Sequence, residues 1–474
     1  MARLSKTDFR LFMEAPMHLW AKKHDRLETP SPTPFDQHLM QQGLDIESLA
    51  KNYLEGIIAQ NYSQPEIHWQ PTYQDGNYES RADALIHDPE ANTYDLYEIK
   101  SSTSIKKEHV YDAAFQALVC AASLPIRDIY LVHVNKEYLK RGELELHTYF
   151  VHSQITEQVN SLKSEIELTR AEALRVSQLG ETAHIPGCHK PSTCTCPSLC
   201  HPGLPEYSIY EINRIGKKAL DLKEQGILSI TEIPDDYPLV EYQKRQVQVV
   251  KQGKPLINLT AIRHALDDLV FPLYFLDYET FNPGIPLYDG YAPYQHIVFQ
   301  YSLHVLDDPR NQVSHYEHLH TDTSDPITEV LDHLASHLGD SGSVIVWYKT
   351  FETSRNKEMA ALYPKYSRFL EDLNTRIYDL MEVFSQGYYV EAGFRGSASL
   401  KNVLPVLVPE MRYEELLISN GQDTMLAWWK LIRGEIPTEE QETIKAAMRQ
   451  YCAFDTLAMV KIWERLTKLT SAKE

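Results

Sequence analysis

The sequence predicts an α/β protein with two sheet-and-helix domains and a smaller helical connector between them. Three observations lead there. The stretch from Asp83 to Gln116 reads as two short strands followed by an amphipathic helix. A second buried strand, Pro272 to Thr280, opens another such series nearly 200 residues later. At 474 residues the chain is also too long for one ordinary domain. The expected boundaries are 1–204, 205–268 and 269–474.

Composition narrows the classes. Hydrophobic residues make up 43% of the chain, enough for real cores, and no apolar run approaches a membrane span. Met1 to Phe9 lacks signal-peptide architecture, so a cytoplasmic protein is expected. A net charge of −20 argues against a protein that coats nucleic acid non-specifically, though not against an enzyme with acid-bound metals. Six cysteines are too few for a disulfide scaffold, and four of them fall within 13 residues.

In chain order, residues 5–26 read as one helix capped by Ser5 or Thr7. Phe9, Leu11, Phe12 and Met13 supply its apolar surface, and Lys6, Arg10, Lys22, Lys23 and Arg26 its charge, read as a solvated face. Thr29 to Pro34 is an extended connector, and a second helix spans Asp36 to Gln60. Leu85-Ile86 and Tyr94 to Ile99 form the strand pair. Glu98 and Lys100 are two apart, so they share a face, and Asp83 starts the neighbouring strand. From Lys106 to Ser123 an amphipathic helix places Tyr111, Asp112 and Gln116 in its first turns. Two carboxylates and an ammonium at one spot suit metal-assisted phosphodiester hydrolysis with Mg²⁺ or Mn²⁺; a salt-bridged exposed hairpin is the plain alternative.

This order resembles the PD-(D/E)XK nucleases of the RecB type, whose pattern is an aspartate, Glu-x-Lys on the next strand and a helix bearing a glutamine. The resemblance implies a restriction-endonuclease-like domain with Asp83, Glu98, Lys100 and Gln116 as its site. It adds Glu47, in Gly43 to Glu47, as a further metal ligand, with His38 as a competitor.

A strand at Asp128 to Val134 and a helix over 152–178 follow. Then come Cys188, Cys194, Cys196 and Cys200 in a loop broken by Pro and Gly. Four thiolates fit Zn²⁺ or an iron–sulfur cluster. Their position resembles the iron–sulfur members of the RecB/AddB group and the related nucleases of CRISPR adaptation, which implies a 4Fe-4S cluster. That family places a fourth cysteine before the proline of Glu14-Ala15-Pro16, where this chain has Ala15, so Cys196 is expected to supply the missing ligand. Cys120 and Cys452 read as core residues. Tyr207 to Pro234 resembles half of a helix–hairpin–helix, with a packing spacer as the alternative.

Asp277 and Glu279 share one face of a buried strand, where carboxylates are costly unless paired or metal-bound. Strands at His296 to Val305 and Ser343 to Tyr348 follow, the second leading into Glu352. Tyr451 and Asp455 are four apart on a C-terminal helix. The set resembles the DnaQ-like DEDD exonucleases of the tyrosine subtype. It implies an RNase H-like fold in which Asp277, Glu279, Glu352 and Asp455 bind two metals and Tyr451 orients water. The family has aspartate where Glu352 stands, and Asp379 is the runner-up. His315, His318 and His320 read as decoration of an exposed strand, and Arg395 and Lys401 as residues that could meet a phosphate backbone.

Together the two parts resemble a bacterial family that fuses them. The resemblance implies a nuclease acting on DNA, with RNA possible and no membrane partner. A non-catalytic nucleic-acid-binding scaffold and an RNA 3′-exonuclease using the C-terminal domain alone are the rival readings.

Overall fold

A computed structural model describes residues 3–62 and 65–471. It divides the chain into two units: 1–203 with 283–295, and 204–282 with 296–474. The boundaries differ from those expected in two ways. The connector 205–268 is part of the second unit, and Pro283–Gln295 belongs to the first. Among the described residues no helix is long and apolar enough to cross a membrane.

In the first unit, helices α1 (Lys6–Glu14) and α2 (Pro16–Lys23) replace the single helix expected over 5–26. Pro16 has no N–H to continue the first helix, and Ala15 is extended at φ −164°, ψ 136°. Ser5 and Asp8 form a capping box on α1. Helix α3 spans Pro34–Asn61, again with a capping box, Thr33 to Asp36.

Strand β1 (Glu66–Trp69) precedes a hairpin of β2 (Thr72–Asp75) and β3 (Tyr78–Arg81). Strands β4 (Ala84–Asp88), β5 (Thr93–Lys100), β6 (Ile126–Val134) and β7 (Phe150–Gln154) complete a five-stranded sheet in the order β1-β4-β5-β6-β7. Only β5 and β6 pair in parallel, and they are joined through helix α4 (Lys107–Ala121). Alternation along the strands divides the core. Leu85, Leu96 and Leu131 face α4, while Ile86, Tyr97, Ile99 and Val132 pack with Ile46, Leu54 and Ile58 of α3. The helix expected over 152–178 starts later, at Thr156, because its first residues belong to β7.

The second unit centres on a mixed sheet. Its central strand Leu273–Phe281 pairs antiparallel with Ile297–Leu306, which pairs antiparallel with Ser314–Leu319. On its other side it pairs parallel with Ser343–Val346, and that strand with Ile377–Asp379. The C-terminal helix Thr438–Ser471 packs on this sheet. Residues 205–265 contribute a small satellite core around Ile209, Leu222 and Ile230; before residue 240 their helical segments are the seven-residue α-helix Lys218–Glu224 and the 3₁₀ turns Ile209–Glu211 and Ile230–Glu232.

Candidate functional sites

The first unit brings Asp83, Glu98, Lys100 and Gln116 together as the spacing predicts. Asp83, just before β4, accepts a hydrogen bond from the Ile99 N–H at 2.8 Å, which ties it to the neighbouring strand. Glu98 is 1% exposed. Its Oε1 accepts from Lys100 Nζ at 2.7 Å and its Oε2 from Gln116 Nε2 at 2.5 Å. Lys100 also donates to Asp112 at 3.1 Å.

A residue read as surface charge joins this site: Lys6 Nζ lies 2.7 Å from Glu98 Oε1. Burial pushes Glu98 up, but Lys100 and Lys6 outweigh it and hold its carboxyl at about 2. Asp83 goes the other way, raised to about 7 by burial and by the Glu98 charge. Glu47 is not drawn into hydrogen bonds with this pair; it accepts from Gln70 at 3.0 Å and lies 2.9 Å from Lys51. His38 sits on α3 against Phe35. A groove of about 320 Å³, lined by Arg10, Met13, Lys107, Tyr111 and Asp112, opens beside the site.

The cysteine loop packs on α2, which supplies a ligand type the sequence reading missed. His18, Cys188, Cys194 and Cys200 place one donor atom each within 4.8 Å of one another and could hold a metal. His18 Nε2 is 3.5 Å from Cys194 Sγ, and its Nδ1 faces Glu14 at 3.6 Å. Cys196 lies outside that group, buried with its Sγ 3.6 Å from Cys200 Sγ and 4.0 Å from the Met17 carbonyl. The expected substitute for the missing cysteine is thus displaced by a histidine three residues after Ala15, one turn along the same helical segment. Gly187 backs onto Cys200, where a Cβ would come within 3.1 Å of its Cα.

The second unit gathers Asp277, Glu279, Glu352, Tyr451 and Asp455. Asp277 and Glu279 project from the central strand toward the C-terminal helix. Burial, then the charge of Asp455, drives Asp277 well above the usual carboxylate range; burial, Asp277 and Asp455 do the same to Glu279. Asp455 is raised to about 6 by burial, against hydrogen bonds from Tyr413 and Tyr451. Glu352, on helix Lys349–Leu362, is 1% exposed and raised by burial and by Asp277. Its Oε2 has no hydrogen-bond partner among the described residues. The runner-up Asp379 instead accepts from the Tyr348 and Lys349 N–H groups at 3.0 and 2.9 Å, a capping role at the start of that helix.

Two neighbours, Tyr413 and Cys452, were not anticipated as site residues, and Lys401, read as a residue that could meet phosphate, lies beside them. Tyr413, on a short 3₁₀ turn, donates to Asp455. Lys401 lies 5.3 Å from the Tyr413 ring and 5.9 Å from that of Tyr451, and its charge opposes the rise of Glu279 and Asp455. Cys452, expected to be core, is buried but faces Asp277 with Sγ 3.7 Å from Oδ2. Arg395, in contrast, is exposed and paired within its own unit, bonded to Glu211 and to the Glu206 carbonyl.

The match to a family model falls largely in this second unit. Residues 274–399 match a family described as a domain of unknown function, DUF2779. The matched segment carries Asp277, Glu279, Glu352 and Asp379 and ends before Lys401, Tyr451 and Asp455. The chain is 26% identical over 289 residues to the uncharacterized protein UU173 of Ureaplasma parvum, covering 56% of this chain and 41% of that protein. It is 26% identical over 211 residues to the uncharacterized MG366 homolog of Mycoplasma pneumoniae, covering 40% and 31%. It therefore spans less than half the length of either relative. The crystal structure of SSO0001 covers 43% of this chain and 87% of its own at 14% identity, with a TM-score of 0.26.

The strand carrying His315 and His318 lies at the sheet edge, exposed at Ser314 and His315 as expected and half-buried by His318. His315 stacks on His304 at 4.3 Å, and His320 is 2% exposed, with Nδ1 2.7 Å from Glu329. His318, His320 and Glu329 place donor atoms within 4.8 Å of one another.

Proposed function

We propose that the chain is a metal-dependent nuclease that hydrolyses phosphodiester bonds of DNA. In this reading the first unit is a PD-(D/E)XK-type domain and the second an RNase H-like, DEDD-type domain. The observation that carries the reading is the convergence of Asp83, Glu98, Lys100 and Gln116 from a strand pair and its following helix. The mixed sheet with its acid-bearing strand at the centre supports the second assignment.

Both sites fit Mg²⁺ or Mn²⁺ by the chemistry of their donors. Asp83 and Glu98 would hold the ion in the first. In the second, Asp277, Glu279, Glu352 and Asp455 would do so, and Glu352 Oε2, buried with no hydrogen-bond partner among the described residues, offers a cation a donor atom. Such an ion supplies Lewis acidity and a nucleophilic water at neutral pH. The chain's own contribution is positional. Lys100, fixed between Glu98 and Asp112, presents an ammonium to the charge that develops on phosphate. Gln116 fixes the Glu98 carboxylate, and the Tyr413 and Tyr451 hydroxyls orient that of Asp455.

The cysteine cluster is assigned separately. A Cys₃His set is a structural zinc set, and tetrahedral ligands about 2.3 Å from zinc lie roughly 3.8 Å apart. Donors within 4.8 Å of one another support one zinc over a four-iron cluster, against the expectation from loop position. Purified protein should hold close to one zinc and lose it on His18→Ala; a broad absorption band near 400 nm would restore the iron–sulfur reading.

The activity test is Mn²⁺-dependent degradation of end-labelled single-stranded DNA by wild type, Lys100→Ala and Asp277→Ala. We expect a loss of about 10²-fold or more in at least one variant. Loss only in Lys100→Ala places the chemistry in the first unit, and loss only in Asp277→Ala in the second. Cleavage of a parallel RNA strand alone supports the RNA exonuclease reading. Folded wild type that cleaves neither supports the scaffold.

A further inference from the structure

We infer that Lys6 is a built-in counter-ion of the Asp83–Glu98 site, occupying the charge position of a divalent cation and giving way when the cation enters. The inference rests on the metal-site reading above and goes beyond it by assigning Lys6 a positioning role.

The two lysines at Glu98 are not equivalent. Both reach Oε1 at 2.7 Å, yet Lys100 is also bonded to Asp112, whereas Lys6 is bonded to Glu98 alone among the described residues. The Lys6 side chain is 23% exposed against 17% for Lys100. With Asp83 and Glu98 ionised, the two carboxylates and two ammoniums sum to zero. A divalent cation added to that set meets two fixed positive charges at close range, so one should leave. The lysine with one partner, on a flexible four-carbon stem, is the one free to do so.

The backbone beneath Lys6 is not free to move with it. Leu4 is hydrogen-bonded on both sides to the β3 segment, from its N–H to the Asn77 carbonyl and from the Glu79 N–H to its own carbonyl. Asp8, 2% exposed, is clamped by Lys22 at 2.8 Å and Lys23 at 2.7 Å, and Phe9 stacks on Phe115 at 4.9 Å. The displacement is therefore a side-chain swing. Lys6, Arg10 and Met13 share one face of α1, and the latter two line the groove beside the site. The released ammonium moves toward that groove, where with Arg10 it can meet a substrate phosphate.

The test is calorimetric Mn²⁺ titration of the full chain carrying Asp277→Asn and Glu279→Gln to quiet the second carboxylate cluster. In that background we compare Lys6 intact, Lys6→Met, and Asp83→Ala as the control that removes the first site. Lys6→Met should bind Mn²⁺ about tenfold more tightly. In chains with Asp277 and Glu279 intact, first-site DNA cleavage at saturating Mn²⁺ should fall in Lys6→Met. A merely structural lysine would leave affinity unchanged or weaken it, and either result overturns the inference. Lys6→Gln, which keeps a donor without the charge, gives the same comparison should Lys6→Met fail to fold by circular dichroism. If no variant shows binding that depends on Asp83, the metal-site reading itself fails and the inference with it. Asp83-dependent binding of equal affinity with and without Lys6 overturns the inference alone.

Discussion

The two carboxylate clusters use the same residue types and solve opposite electrostatic problems. In the first unit, Glu98 is surrounded by Lys100 and Lys6 and stays ionised far below the usual range, while Asp83 absorbs the strain and is raised to about 7. In the second unit, Asp277, Glu279, Glu352 and Asp455 are all pushed upward; Lys401 beyond two tyrosine rings opposes the rise of Glu279 and Asp455, and Arg355 that of Glu352. The first site carries its own counter-charges. The second must hold protons or bind cations from solution. A buried carboxylate is therefore not one kind of evidence: at Glu98 it contributes to the fold as an ion-pair hub, and at Glu352 it is a cost that a ligand relieves.

The sharpest way to break this contrast is a pair of neutralising substitutions measured without metal. Glu98→Gln leaves two part-buried ammoniums facing a neutral amide and should destabilise the first unit by about 3 kcal/mol. Asp277→Asn removes one of several mutually repelling acids and should leave the metal-free second unit unchanged or stabilise it by about 1 kcal/mol. Scanning calorimetry in chelator, following each unit's transition, reads both. Changes of the same sign would show that the clusters are electrostatically alike.

Metal addition sharpens the contrast from the other side. A cation at 100 times its dissociation constant stabilises the state that binds it by about 2.7 kcal/mol. Mn²⁺ should raise the transition of the second unit more than that of the first, where entry of the ion costs the Lys6–Glu98 contact. Lys6→Met should narrow the gap. Equal shifts in wild type would mean that the lysines of the first site do not compete with the ion.

The parts of both sites that were legible in the sequence are those fixed by local periodicity. Glu98 and Lys100 had to share a face because strand side chains alternate, and Gln116 had to face them because α4 turns its apolar side to the same sheet surface. The Ala15–Pro16 break was equally local, and the proline should have divided the predicted helix. What was not legible depends on contacts distant in sequence. Lys6 looks like any solvated helix lysine until the fold brings its side chain to Glu98, 92 residues away. His18 meets Cys194 across 176 residues, and the only local sign was a histidine one helical turn beyond Ala15. Tyr413 comes from a 3₁₀ turn with no periodic signal, and Cys452 sat on an apolar helix face that turned out to look onto acids. The assignment of Pro283–Gln295 to the first unit has no marker in composition at all.

Asp83 and Glu98 also give the first site a pH dependence of opposite signs. Asp83 has its folded-state carboxyl at about 7 against an ordinary 3.8, so the folded chain keeps a proton there that the unfolded chain has already released. Between about pH 4 and 7 the unfolded state gains from that release and the folded state does not, so metal-free stability owed to Asp83 falls as pH rises and levels off above 7. Glu98 has the opposite sign. Held at about 2 against 4.5, it contributes stability that is fully present above 4.5 and is lost as pH falls toward 2. Asparagine at position 83 imitates the protonated acid at every pH. The stability of wild type minus that of Asp83→Asn, from urea melts in chelator, should therefore decline from pH 4 to 7 and then run flat. A difference that does not change across that window would mean that Asp83 is ionised throughout, held so by Lys6 and Lys100 more strongly than burial and Glu98 oppose it. In that case the first site would be charge-balanced at both carboxylates, and Lys6 would be harder for a metal to displace.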